Sequence, residues 1–184
     1  VLEYWYHKLS NKPLKRFSVD EMTDCTSVNN IPNSGCEGGL MEYIFEYAEQ
    51  HATSFQHEYK HSCNSNKIKS HITVNDYDVQ DIESNPNLEK QIPHLLHTYG
   101  PLSVGIDSNN DFIDNYVHGI FPEQLCSNDI DHAVVIVGYT KDAWIIRNSW
   151  GVDWGEKGFF KLKRNVNACG IAEYMSYITD AKVE

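Results

Sequence analysis

Two short stretches in the second half of the chain decide the fold, Asp131-His132-Ala133-Val134 and Asn148-Ser149-Trp150-Gly151. The first leads into the apolar run 133–137, and the second directly follows the run 144–147. Short apolar runs bounded by polar residues are typical of strands. The continuous run 133–137 predicts a strand that is buried on both faces. If the two strands are neighbours, the polar residues at their ends lie at one edge of a sheet.

His132 and Asn148 are the residues in these stretches that can carry chemistry. An asparagine side-chain oxygen can accept a hydrogen bond from one imidazole N–H, which fixes the ring's tautomer and direction. The other ring nitrogen is then free to act as an acid or a base. An indole such as Trp150 could cover that hydrogen bond and keep water away from it. From the residues alone, a His and an Asn that merely satisfy backbone groups remain the more common case.

Composition bounds the class of protein. The chain has 184 residues, 41% of them hydrophobic and 22% charged, and a formal net charge of -11. This is an ordinary globular balance and predicts one domain or two small lobes. The acidic charge argues against nucleic acid, because phosphate binding needs a basic face. No apolar run approaches the length of a membrane span, so no membrane partner is expected.

Helical patterns dominate the first half of the chain and strand patterns the second. Apolar residues at helical spacing predict helices over 1–9, 40–50 and 88–99, and Pro93 should kink or shorten the last of these. Ser18 with Glu21 resembles a capping box that opens a helix ending near Cys25. Strands are predicted over four segments: 102–106, 133–137, 144–147 and 159–163. Helices followed by strands imply an α+β fold with two lobes.

Several motifs occur in the order found in one known family. They are Asp24-Cys25, Cys36-Glu37-Gly38-Gly39-Leu40-Met41, Gly100-Pro101-Leu102-Ser103-Val104, the two stretches quoted above with Val137-Gly138-Tyr139 and Trp154-Gly155, and Cys169-Gly170-Ile171-Ala172. In these motifs the chain resembles the papain-like cysteine peptidases, and the motif sequences are most similar to those of the cathepsin L-like branch. The resemblance covers the chain to about Tyr177 and implies a helical lobe (1–78), an antiparallel β-barrel-like lobe (79–177) and a C-terminal tail (178–184).

The resemblance assigns roles to individual residues. His132 matches the catalytic histidine, Asn148 the residue that orients it, and Trp150 the tryptophan that shields the pair. Two glycines match those whose backbone pairs with an extended substrate, Gly38 and Gly39. The positions that line the family's main specificity pocket are apolar here: Leu40, Met41, Gly105, Ile130, Ala133 and Tyr174. Tyr174 at the far end of that pocket should make it shallow.

The family's nucleophile lies in a Cys-x-x-Cys-Trp motif, and no cysteine in this sequence precedes a tryptophan. Aligning Glu3 with the family's glutamate places that cysteine about eight residues before Val1. His132 then follows it by about 140 residues, within the spacing of about 130–150 that characterises papain and the cathepsins. The family pattern also pairs Cys25 with Cys63 and Cys126 with Cys169, which leaves Cys36 without a mate. We therefore expect the chain alone to be inactive.

Two functions are compatible with these residues. The first is a cysteine-type endopeptidase that uses a thiolate-imidazolium pair, acts on extended peptides or proteins and is inhibited by a propeptide or by cystatin-like proteins. The second is a non-catalytic pseudoenzyme that binds peptides or protease inhibitors. Neither needs a cofactor or metal: His94 and His97 have a spacing that can hold a metal, but they should flank an apolar stripe toward solvent. A monomer in an oxidising compartment, lysosomal or secreted, is expected.

The remaining histidines carry no predicted role. Four of them lie in a polar, irregular region and should be solvated: His51, His57, His61 and His71.

Overall fold

The computed structural model describes residues 1–28, 31–51, 53–64, 69–109 and 111–183, except for the side chains of residues 111 and 112. The chain divides into two compact units. The first comprises Val1–Asp78 and Ile178–Glu184, and the second comprises Val79–Tyr177. Each unit has its own hydrophobic core.

The first unit is mainly helical. It contains α1 (Leu2–Ser10), α2 (Val19–Thr26), a 3₁₀ turn (Gly35–Glu37) and α3 (Glu42–Gln50). Two strands that continue into the second unit complete it, β1 (Ile72–Asp81) and β7 (Tyr174–Val183). The helices form because one stripe of each is apolar, and those stripes supply core residues such as Leu2, Trp5, Phe45 and Ala48.

The predicted capping box at α2 is only half formed. Ser18 is the N-cap, and its Oγ accepts a hydrogen bond from the Glu21 N–H at 3.0 Å. The Glu21 carboxylate does not return to the cap. It is fully buried and accepts instead from the Ser54 N–H, the Ser54 hydroxyl and the Tyr47 hydroxyl. Burial raises the pKa of Glu21, and these hydrogen bonds act against that rise.

The second unit contains the sheet. Its further elements are α4 (Leu88–Tyr99), β2 (Leu102–Ile106), α5 (Asp111–Asp114), β3 (Ile120–Phe121), β4 (His132–Tyr139), β5 (Ala143–Arg147) and β6 (Phe159–Lys163). The strand order is β1-β7-β2-β4-β5-β6-β3. The pairs β2–β4, β4–β5 and β5–β6 are antiparallel, whereas β3 pairs with β6 in parallel, so the sheet is mixed.

The predicted strands all exist, but the burial of β4 differs from the prediction. Val134 and Ile136 are buried, whereas Ala133 and Val137 are exposed. The apolar run therefore has one core face and one open face, which alternation along a strand requires when only one side of the sheet is covered. The strands β1, β3 and β7 had no predicted counterpart.

Two further expectations fail. Helix α4 is not shortened at Pro93 but runs on to Tyr99, and Leu88, Ile92 and Leu95 pack it into the core. The segment predicted as a tail is, over residues 178–183, the second half of β7, in which Ile178 and Ala181 are buried; Glu184 lies outside the described residues.

Two disulfides are formed, and they are the pairs that the resemblance implies. Cys25 is bonded to Cys63 in the first unit, and Cys126 to Cys169 in the second. Cys36 carries a free, exposed thiol. Within the described residues, no helix is long and apolar enough to cross a membrane.

Candidate active site

Three strand ends of the second unit place His132 and Asn148 together. In the antiparallel register, Ile106 at the end of β2 pairs with His132 at the start of β4. Arg147 at the end of β5 pairs with Val135, so Asn148 emerges at the same edge of the sheet. The sequence folds this way because Val134, Ile136, Trp144 and Ile146 pack into one core.

His132 and Asn148 are directly hydrogen-bonded. The imidazole Nε2 lies 2.9 Å from Asn148 Oδ1. The same Oδ1 accepts the Ser149 backbone N–H at 2.7 Å, so this atom is the acceptor and Nε2 is the donor. His132 Nδ1 has no hydrogen-bond partner in the part of the chain that the structure describes. The ring therefore presents its lone pair or its second proton to an incoming group.

Asn148 is held from its backbone side as well. Its side chain is buried, with 3% of the residue exposed, and its N–H donates to the Gly158 carbonyl at 2.9 Å. Gly158 has a φ of 85°, and a Cβ there would meet Arg147 Nη1 and the Gly151 carbonyl at well below contact distance. A glycine at 158 is thus required for the loop to close on Asn148.

One indole packs against His132, and a second packs against the first. The Trp150 ring lies over His132 with a centroid separation of 5.1 Å and a tilt of 31°. Trp154 packs edge-on against Trp150 at 5.1 Å and donates its Nε1–H to the Asp114 carbonyl at 3.0 Å. Trp154 also contacts Phe160 of the core. The cover over His132 is thereby anchored to the body of the unit.

A buried carboxylate shapes the segment that leads into β4. Asp107, only 5% exposed, accepts from the Ser127 N–H at 2.5 Å, the Ser127 hydroxyl at 2.8 Å and the Asn109 N–H at 3.0 Å. Burial on its own would raise the pKa of Asp107, but these hydrogen bonds outweigh it and lower the pKa. Asp131 is fixed likewise, because its Oδ1 accepts the Ser108 N–H at 2.8 Å.

Four predicted pocket residues lie in the second unit. Gly105 and Ala133 are partners in the β2–β4 register. Ile130 Cγ2 occupies the space that a side chain at residue 105 would need, so Ile130 and Gly105 are in close contact. Tyr174 begins β7, whose register with β2 brings it to the Gly105 end of that strand.

The other two pocket residues, Leu40 and Met41, lie in the first unit together with the two predicted substrate-pairing glycines. Gly38 has a φ of 104°, and a Cβ on it would meet nothing within 4 Å, whereas one on Gly39 would collide with Asn33. Leu40 is exposed, and Met41 is the N-cap of α3, so that helix begins two residues later than predicted.

The other histidines considered above differ in their exposure to solvent. His94 and His97 are exposed on α4, and the described residues contain no cluster of three metal-ligating side chains. His57 and His61 are exposed and His51 is half-buried. The prediction for His71 is wrong: it is 8% exposed, stacks on Phe55 at 3.8 Å and bonds to Glu58. Stacking and pairing remove this ring from solvent.

Sequence reasoning missed two residues that support the pair. Gly158 supplies the carbonyl that holds Asn148, and Trp154 supports Trp150. The available signal for Gly158 was a lone glycine in a turn after Trp154, a position typical of positive φ. Nothing in the sequence indicated a bond from residue 158 to residue 148.

Residues 2–179 match the sequence profile of the papain family cysteine proteases, and the chain belongs to that family. Its fold is the α+β, two-lobed papain fold, and the sequences of its motifs place it near the cathepsin L-like members.

Among curated relatives, it is 36% identical to the probable cysteine protease RD21B of Arabidopsis thaliana, over 93% of this chain and 38% of that protein. It is 34% identical to a cathepsin L-like protein of Caenorhabditis elegans, over 89% of this chain and 51% of that protein. The chain thus spans between about two fifths and a half of the length of these relatives.

Solved structures agree with this assignment. Procathepsin L 3 from the larval midgut of Tenebrio molitor superposes with a TM-score of 0.81 and 30% identity, over 97% of this chain and 60% of that one. A Carica candamarcensis cysteine protease in complex with E-64 gives a TM-score of 0.80 and 26% identity, over 95% of this chain and 81% of that one.

Proposed function

We propose that the chain is the histidine- and asparagine-bearing part of a cysteine endopeptidase whose nucleophilic cysteine lies outside these 184 residues. The observation that carries the proposal is the hydrogen bond from His132 Nε2 to Asn148 Oδ1 beneath Trp150. Asn148 would direct the ring, and Nδ1 would face the thiolate. Trp150 would exclude water from the bond that orients the ring.

In this mechanism, a thiolate paired with the His132 imidazolium attacks the scissile carbonyl carbon. Backbone donors stabilise the resulting oxyanion. His132 then gives its proton to the leaving amine as the C–N bond breaks, which leaves a thioester. The neutral ring takes a proton from water, the hydroxide opens the thioester, and the thiolate and imidazolium are restored.

The cysteines support an external nucleophile. Cys25, Cys63, Cys126 and Cys169 are in disulfides and cannot attack a carbonyl. Cys36 has a free thiol, but Glu37 is its neighbour, and no cation adjoins it in sequence to favour its thiolate. On this proposal the 184-residue chain alone is inactive.

Substrate binding is assigned by analogy with the family. The Gly38 and Gly39 backbone would pair with an extended peptide, and the apolar residues at the family's pocket positions would favour an apolar substrate side chain. Propeptides and cystatin-like inhibitors are the proposed protein partners of a monomer. The two disulfides favour an oxidising compartment, and we propose a lysosomal or secreted location.

The test uses a chain extended upstream through the expected cysteine, about eight residues before Val1. It should hydrolyse a peptide with an apolar side chain at P2, and His132→Ala should abolish hydrolysis. His94→Ala, which removes an exposed imidazole from α4, is the matched control and should leave the rate unchanged. The proposal would be refuted if the coding sequence had no cysteine at that place. It would also be refuted if His94→Ala abolished hydrolysis while His132→Ala did not.

A second function follows if the folded protein has no such cysteine. The exposed Gly38–Gly39 backbone could then hold extended peptides or protease inhibitors without cleavage. Calorimetric binding of an uncleaved peptide by the unextended chain, with no hydrolysis by the extended one, would favour this pseudoenzyme.

A further inference from the structure

The net charge of -11 conceals one strongly basic segment in the first unit. Between Glu3 and Asp20 the sequence contains no carboxylate and four cations: Lys8, Lys12, Lys15 and Arg16. The rest of the chain has eleven Lys and Arg residues against 26 Asp and Glu residues. We call residues 8–19, which begin in the last turn of α1 and end in the first turn of α2, the basic segment.

The cations of the basic segment are available to a ligand. All four side chains are exposed, and none forms an ion pair within the described residues. Lys8 Nζ lies 4.4 Å from the Trp5 ring centroid, and Lys15 Nζ lies 4.7 Å from that of Phe55. These contacts hold the two ammonium groups beside aromatic rings without neutralising them.

Exposed aliphatic side chains alternate with these cations. Leu9 is 43% exposed, Leu14 is 63% exposed and Val19 is 60% exposed. Leu14 lies between Lys12 and Lys15, so an apolar side chain stands in water within the most basic part of the chain. Isolated exposed aliphatic residues are common, but three of them interleaved in sequence with four unpaired cations distinguish this segment from the rest of the chain.

The segment is fixed at both ends. At one end, His7 Nδ1–H donates to the Lys12 carbonyl at 2.5 Å. At the other, the Gln56 N–H donates to the Arg16 carbonyl at 2.9 Å, and Phe17 forms a bridge with Phe55. The intervening residues 13–15 lie exposed between two anchored points, so little ordering would be needed on binding.

We propose that the basic segment docks on the surface of an anionic lipid bilayer, with the cations at the headgroups and Leu14 inserted beside them. Lying on a membrane is a different property from crossing one, and it needs only a basic surface with a few apolar side chains. A bilayer engages both kinds of side chain. A sulfated polysaccharide would engage the cations and leave the aliphatic residues in water.

The test is co-sedimentation of the full chain with phosphatidylcholine vesicles that contain about 30% phosphatidylserine, at about 0.1 M salt. We expect binding to these vesicles and none to pure phosphatidylcholine. Replacing Lys12, Lys15 and Arg16 by Ala should weaken partitioning on the order of a hundredfold, because each basic residue near an anionic surface contributes about a factor of five. Leu14→Ser should weaken it by roughly tenfold.

Matched variants distinguish the contribution of the basic segment from that of the net charge of the chain. Replacing Lys60, Lys141 and Lys182 by Ala removes the same charge from other exposed positions and should change partitioning by less than about twofold. Val117→Ser is the control for Leu14→Ser. Equal binding to both kinds of vesicle, or equal loss in the two triple variants, would overturn the proposal. The proposal would also be overturned if Leu14→Ser did not change vesicle binding and a soluble sulfated polysaccharide bound the chain equally well.

Discussion

The two units each contain a histidine with a hydrogen-bonded partner and an aromatic neighbour, but the partners differ in charge. His71 in the first unit lies parallel to Phe55, with 3.8 Å between ring centroids, and its Nε2 is 2.5 Å from the Glu58 carboxylate. His132 in the second unit lies at 5.1 Å from Trp150, and its partner is the neutral amide of Asn148.

The difference separates a structural histidine from one suited to proton transfer. The Glu58 carboxylate binds the Nε2 of His71, and the Phe55 ring covers its face, so the ring is held within the unit. The Asn148 oxygen binds the Nε2 of His132 and fixes the direction of that ring. His71 is also buried, whereas His132 keeps one nitrogen open toward solvent or a reacting group. The same side chain therefore contributes to stability in one unit and is available for chemistry in the other.

The largest expected effect distinguishes the two rings by stability. His71→Ala leaves a cavity against Phe55 and a partly buried Glu58 without its donor, and should lower the free energy of unfolding by about 3 kcal/mol. His132→Ala should lower it by less than about 1 kcal/mol. Urea denaturation followed by circular dichroism measures both. Equal losses would mean that the two rings contribute equally to stability.

A second change tests the support behind His132. Gly158→Ala places a methyl group against Arg147 and the Gly151 carbonyl and should cost about 2 kcal/mol. It should also alter the proton resonance of His132 Nε2–H, because Asn148 loses its anchor. Gly119→Ala is the control, since Gly119 has a φ of 94° and open space around it; it should cost about 1 kcal/mol and leave the resonance unmoved.

The smallest effect is a pH dependence from Glu58. Partial burial on its own would raise the pKa of Glu58, but the hydrogen bonds from His71 and from the Phe55 N–H outweigh it and lower the pKa. The ionised carboxylate therefore stabilises the fold above the unfolded value of about 4.3, and this contribution is lost as the pH falls through the lowered pKa. Glu58→Gln should reduce the fall in the free energy of unfolding at acid pH by less than about 1 kcal/mol. An unchanged fall would contradict this.

Local sequence predicted the elements that carry the candidate site. His132 and Asn148 each adjoin an apolar run, so strand patterns and the family motifs were sufficient to bring them together. Burial across the sheet was less predictable. The run after His132 looked buried on both faces, yet Val137 is 40% exposed, because coverage of a strand depends on residues distant in sequence.

Contacts between distant residues account for the other failures. His71 is buried by Phe55, sixteen residues earlier in the chain, and no local pattern records that contact. Strand β1 carries Asn75, Asp76 and Asp78, whose polarity masks the alternation of the buried Ile72 and Val74. Helix α4 keeps its length despite Pro93, because burial of its apolar face outweighs one missing hydrogen bond.

The double acceptor role of Asn148 Oδ1 has one more consequence. A side-chain amide can be rotated so that its oxygen and nitrogen exchange places, but here the rotated form would set its NH₂ donors against the N–H of Ser149 and that of the imidazole. Only one rotamer avoids a clash of donors. The backbone amide of Ser149, which does not titrate near neutral pH, thus selects which nitrogen of the neighbouring ring bears hydrogen.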